Sequence, residues 1–148
     1  MDKKLPLNFE LIPTGAWNFN LRTQLPKKAW DLLRQIAYQK ADYKCSICKC
    51  NAKRLEAHEV WDFNKETKVQ KLIDIKALCH NCHSVVHINR TIIIGEEDRA
   101  IAHFKRVNKV DYQGYIKTLQ EANERSIELS TIDDWSLDLS YLKKYIEE

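Results

Sequence analysis

Hydrophobic and polar positions alternate along this chain in blocks of different period. From Pro26, the stretch "PKKAWDLLRQIAYQKA" places Trp30, Leu33, Ile36 and Ala37 on one helical face, and a proline suits the first turn of a helix. That stripe is a core stripe. Ahead of it, residues 1–25 show no period, but they carry Phe9, Trp17 and Phe19, aromatics suited to drape over a core. After it the period drops to two: "RLEAHEVW" predicts a strand with Leu55 and Ala57 on one side and Glu56 and His58 on the other. His58 is expected at the end of that strand. "NKETKVQKLIDIKALC" predicts a polar turn and a second strand running into Cys79.

Helical spacing then returns. "NCHSVVHINR" predicts a short helix, and after Gly95 "EEDRAIAHFKRVNK" predicts another, with acidic residues in its first turn and basic ones in its last, as the helix dipole favours. A further helix is expected over Tyr112–Leu129, and "WSLDLSYLKKYIEE" predicts a last helical segment. The order helix, two strands, short helix, helices predicts a small α+β fold.

Composition narrows the class. At 148 residues the chain is long enough to bury a core, and one domain is expected: an N-terminal arm and helix over 1–42, a core over 43–90, and a C-terminal helical region over 91–148. No apolar run approaches the roughly 20 residues of a membrane span, and "MDKKLPLNFE" lacks the apolar stretch of a secretory signal. A cytosolic protein without a membrane partner is the expectation. Three glycines and three prolines leave little room for flexible linkers.

Charge adds a direction. Residues 1–109 carry 20 Lys and Arg against 12 Asp and Glu, a net +8, whereas residues 110–148 carry 4 against 9, a net −5. A basic body suits a polyanion partner, and it equally suits an ordinary solvated surface.

The cysteines change the picture most. Five in a cytosolic chain argue for metal or free thiols rather than disulfides. Cys45, Cys48, Cys79 and Cys82 read C-x2-C-x30-C-x2-C, and each C-x2-C turn presents two thiolates at the bite of a tetrahedral Zn²⁺ site. Four thiolates on one zinc ion would lower the net charge of +3 by two. Cys50 is left as a free thiol. A redox role would need a thioredoxin-like βαβ context that the pattern lacks. His83 and His87 lie four apart on one face of the expected short helix, able to share a further cation, with His58 as a third ligand. His80 is expected to be exposed and His103 to pack.

These residues, "CSIC", "LEAHE", "DIKALC" and "CHNCHSVVH", resemble the HNH endonucleases of the ββα-metal group over about Tyr43 to Asn89. The flanks, with Trp30 ahead and "DDWSLDLSYL" behind, are similar to those of phage and bacterial members. The resemblance implies a zinc-bound, treble-clef-like ββα core in which Cys45, Cys48, Cys79 and Cys82 hold a structural zinc. It also implies a second divalent ion, Mg²⁺ or another, that contacts the scissile phosphate of DNA. Residue by residue, His58 falls on the metal-ligand position, Glu59 on the general-base position and Asp74 on an Asn/Asp position that orients the site. His83 and His87 fall on the helix ligands. Glu59 departs from the family's histidine: a carboxylate of pKa about 4.3 is a weaker base at neutral pH than an imidazole of about 6.5. Either burial raises it, or His58 is the base, or catalysis is lost and a zinc module that binds DNA or a protein remains. Lys27, Lys28, Lys53, Arg54, Lys105 and Arg106 are the expected grip on a nucleic-acid backbone.

Overall fold

The computed structural model describes residues 5–16 and 20–145. Trp17 and Phe19 lie outside the described residues. The fold is a small α+β arrangement with, among the described residues, six α-helices and one three-stranded sheet. No described helix is long and apolar enough to cross a membrane.

Helix α1 (Leu21–Gln24) is a single turn capped by Asn20, whose side chain accepts from the Thr23 amide. Pro26 then serves as the N-cap of α2 (Lys27–Lys40), which buries Trp30, Leu33 and Ala37 while Ile36 stays half-buried. Strands β1 (Glu56–Asn64) and β2 (Val69–Leu78) form an antiparallel hairpin from Glu56↔Leu78 to Asn64↔Val69. The register slips between Val60 and Trp61, where Ile73 is the extra residue of a bulge. The hairpin turn is closed by the Asn64 side chain, which accepts from the amides of Glu66 and Thr67. His58 is therefore the third residue of β1 and not its end: pairing with β2 carries the strand six residues further.

Cys79 caps α3 (His80–Val86) by accepting the Cys82 amide on its sulfur. The expected single helix over "NCHSVVHINR" is two, because His87 adopts φ −101, ψ 54 and separates α3 from α4 (Ile88–Ile93). The Thr91 hydroxyl steadies the break by bonding the carbonyls of Ser84, at 2.6 Å, and His87. Gly95, at φ +82, turns the chain into α5 (Glu97–Asn108), and Asp111 caps α6 (Tyr112–Leu129).

The C-terminal stretch corrects the expectation of a helix. Ser136–Asp138 forms β3, parallel to the start of β2, followed by a 3₁₀ turn over Ser140–Lys144. Trp135 packs edge-on against Phe63 and the Ser136 amide bonds the Lys68 carbonyl. The open edge of β2 thus captures a segment too short to gain much as a helix.

Two apolar clusters flank the sheet. One joins Leu7, Phe9, Leu78, Val85, Phe104 and Tyr115, and the other joins Leu21, Trp30, Leu33, Leu72, Ile75 and Leu142. The N-terminal arm belongs to the first. Phe9 stacks on Phe104 at 5.0 Å, and Asn108 exchanges two hydrogen bonds with the Leu7 backbone. Burying Leu7 and Phe9 contributes about 1.5–3 kcal/mol each, enough to hold an irregular segment in place.

Candidate functional site

The loop 45–50 folds back so that the Cys45 amide bonds the Cys50 carbonyl, while the Ser46 amide docks on Ala77 of β2. This brings Cys45 and Cys48 to Cys79 and Cys82 at the start of α3, and one sulfur from each lies within 4.8 Å of every other. Cys48 and Cys79 sulfurs are 3.7 Å apart, close to the about 3.8 Å edge of a tetrahedron with Zn–S bonds of about 2.3 Å. Hydrogen bonding from Cys82 pulls Cys45 down to about 4, whereas burial pushes Cys79 up to about 12. The bond to Cys45, and then burial, also push Cys82 up. One thiolate at Cys45 is favoured and further thiolates are disfavoured beside it unless a cation compensates them, so the donor set fits zinc. Cys50 is exposed and stands at the rim of this cluster.

His103 does more than pack. Its Nε2 lies 3.1 Å from Cys82 Sγ, and Arg106 lies 2.8 Å from its Nδ1. A guanidinium only donates, so Nδ1 accepts and Nε2–H points at the sulfur. Arg106, expected on a nucleic-acid backbone, is thus occupied by His103.

The second cluster lies between β1 and the α3–α4 junction. His58, His83 and His87 each bring a ring nitrogen within 4.8 Å of the others, with ring centroids 4.8–5.3 Å apart. His58 is buried at 4% exposure. Burial, then the neighbouring His58 and His83, lowers His87 to about 3, and burial also lowers His83. At neutral pH both rings are neutral, the state in which imidazole binds a metal. Convergent neutral imidazoles fit a divalent cation.

Two carboxylates hold these histidines from outside. Glu56 bonds His83 Nδ1 at 2.7 Å and His80 Nδ1 at 3.1 Å, and Glu10 bonds His58 Nε2. The position of Glu56 was legible, because strand alternation puts it on the side of His58. Glu10, 48 residues away in an unpatterned arm, left no signal. His80 is exposed, as expected.

Glu59 stands one residue on from His58, on the side of Ala57 and Trp61, and is outside the histidine cluster. Its Oε1 accepts the Leu21 amide at 2.7 Å, while burial raises its pKa. Asp74, opposite Val60, is also outside the cluster: its Oδ1 accepts the Tyr141 hydroxyl at 3.2 Å.

An open groove of about 870 Å³ passes over His83 and His87, lined by Arg22, Lys27, Arg34, Arg54 and Arg90 against Asp31 and Glu56. A cleft of about 400 Å³ reaches His58 and Glu59 past Arg22 and Arg90. Of the six expected backbone-gripping residues, Lys27 and Arg54 line the groove, and Lys28, Lys53, Lys105 and Arg106 do not. Arg22, Arg34 and Arg90 line it as well, and only the folding of α1, α2 and α4 beside β1 brings them together. No profile of a known protein family matches the chain, and no characterised protein or solved structure is significantly similar to it.

Proposed function

We propose that this chain is a divalent-metal-dependent DNA endonuclease or nickase of the HNH kind, with a zinc-stapled ββα-metal core formed by β1, β2 and α3. The observation that carries the reading is the convergence of His58, His83 and His87 beside a groove lined by five cationic side chains. Cys45, Cys48, Cys79 and Cys82 would hold a structural zinc, fixing the start of α3 against β2 and so the spacing of His83 and His87 from His58.

Arg22, Lys27, Arg54 and Arg90 would bind phosphates without reading bases, while Arg34 is paired with Asp31 at 2.8 Å. His58, His83 and His87 would hold the divalent ion. When bound, that ion offsets charge on the phosphoryl oxygens and on the leaving 3′ oxygen. An all-imidazole donor set suits Ni²⁺, Co²⁺ or Zn²⁺ better than Mg²⁺, which prefers oxygen ligands. Glu59 takes the proton of the attacking water. Its burial moves it toward the neutral range where a general base works best. Asp74, held by Tyr141, stiffens β2 opposite the strand that carries His58 and Glu59.

One observation favours a second reading, a zinc module that binds DNA or a protein without cutting. Glu59 lies outside the histidine cluster, with one oxygen held by the Leu21 amide. Single-turnover cleavage and filter binding of wild type and Glu59→Gln separate the two. With Glu59 as base, Glu59→Gln loses roughly 10²–10⁴-fold in rate while DNA binding survives. Normal cutting by Glu59→Gln makes His58 the base. Wild-type protein that binds DNA but never cuts it gives the second reading the field.

A further inference from the structure

We infer that Glu10 is a positioning residue of the histidine centre: the N-terminal arm supplies a carboxylate that fixes the tautomer and orientation of His58. The inference rests on the reading of His58, His83 and His87 as a metal centre. Its starting point is the contact of Glu10 Oε2 with His58 Nε2. The backbone makes that contact a built one. The Glu10 amide bonds the Val86 carbonyl at 3.0 Å, tying this residue to the end of the helix that carries His83. Next to it Phe9 is stacked on Phe104, and Leu7 is locked to Asn108.

A carboxylate accepts, so His58 Nε2 donates to Glu10 and Nδ1 is the nitrogen His58 would offer an ion. Glu56 does the converse for His83: it accepts from Nδ1–H and leaves Nε2 with the lone pair. The two rings would therefore present different nitrogens to one ion. Each is oriented by its own carboxylate, the arrangement that raises the basicity of a metal-bound imidazole. Two carboxylates beside the centre also offset a 2+ charge that neutral imidazoles leave uncompensated. His87 lies at the helix break, where its backbone conformation sets its position. The arm, far from the cysteine and histidine motifs in sequence, is in this account part of the centre.

The test uses zinc-loaded, full-length protein at pH 8 and two readouts. Imidazole ¹⁵N spectra should show His58 as the Nε2–H tautomer in wild type and a mixed tautomer in Glu10→Gln. Calorimetric titration with Co²⁺ should give a second bound ion per chain, with affinity roughly 10–100-fold weaker in Glu10→Gln and partly regained in Glu10→Asp. An Nδ1–H tautomer in wild type overturns the assignment, as does equal Co²⁺ affinity in wild type and Glu10→Gln. If wild type takes up no second ion, the metal-centre reading fails and the role of Glu10 at it fails too. Wild-type binding with unchanged Glu10→Gln affinity removes Glu10 alone.

Discussion

His103 Nε2 sits 3.1 Å from Cys82 Sγ, so a helix that begins 15 residues beyond the last cysteine donates a hydrogen bond to the proposed zinc site. Arg106 holds the ring in the required tautomer. Partners of this outer kind change metal affinity by roughly 10–100-fold. His103→Ala is expected to release zinc to a chelating dye at a free-zinc level about that much higher than wild type requires, and to melt at lower temperature. Cys79→Ser, which removes a ligand outright, should fail to fold without a large excess of zinc. Equal zinc retention in His103→Ala and wild type would reduce the contact to packing.

The buried histidines predict a pH dependence. His87 is held at about 3 in the folded protein, against an unfolded value of about 6.5. Below about 6.5 the unfolded chain therefore takes up a proton at this site that the folded chain refuses. The contribution of a neutral, buried His87 is fully present above about 6.5 and is lost as pH falls toward about 3. Denaturant titrations without added second metal should show wild type losing more stability than His87→Gln between pH 7.5 and 5.5. Parallel losses in the two proteins would mean that His87 opens to solvent.

The groove predicts a salt dependence. Arg22 and Arg90 line both the groove and the adjoining cleft, and under the proposed function each would contact one phosphate. Duplex binding should fall steeply with salt and vary little with sequence. Arg90→Ala and Arg22→Ala should each reduce the slope of log K against log salt by about one. A Lys105→Ala control, at a site away from the groove, should leave the slope unchanged. Fluorescence anisotropy from 50 to 300 mM salt measures all three.

Local patterns made much of this fold legible, and contacts across the chain made the rest. The 3.6 period of Tyr112–Leu129 stands alone in its segment, so the helix was readable to both ends. The hairpin and the cysteine spacing were readable because each depends on residues close in sequence or paired by motif. The break at His87 was not, since it turns on a hydroxyl, Thr91, that reaches back seven residues, about two helical turns, to Ser84. Nor was β3: "SLD" has no period of its own, and the edge of β2 with Trp135 on Phe63 decides its conformation. In the site, the three histidines came from a motif; strand alternation put Glu56 on the side of His58, but its hold on His83 and His80 was not anticipated. Glu10 and Arg22 reach the centre only through tertiary packing of segments that no short-range pattern joins to it.

If the histidine cluster and its groove cut DNA with a divalent ion, supercoiled plasmid incubated with zinc-loaded protein and Ni²⁺, Co²⁺, Mn²⁺ or Mg²⁺ will be cleaved. The expected result is relaxed or linear product that requires added ion, is strongest with Ni²⁺ or Co²⁺, and disappears in His58→Ala. His87→Ala should cut only at higher ion concentration. Intact plasmid with wild-type protein under every ion, or equal cutting by His58→Ala, would show that this cluster is not a nuclease centre.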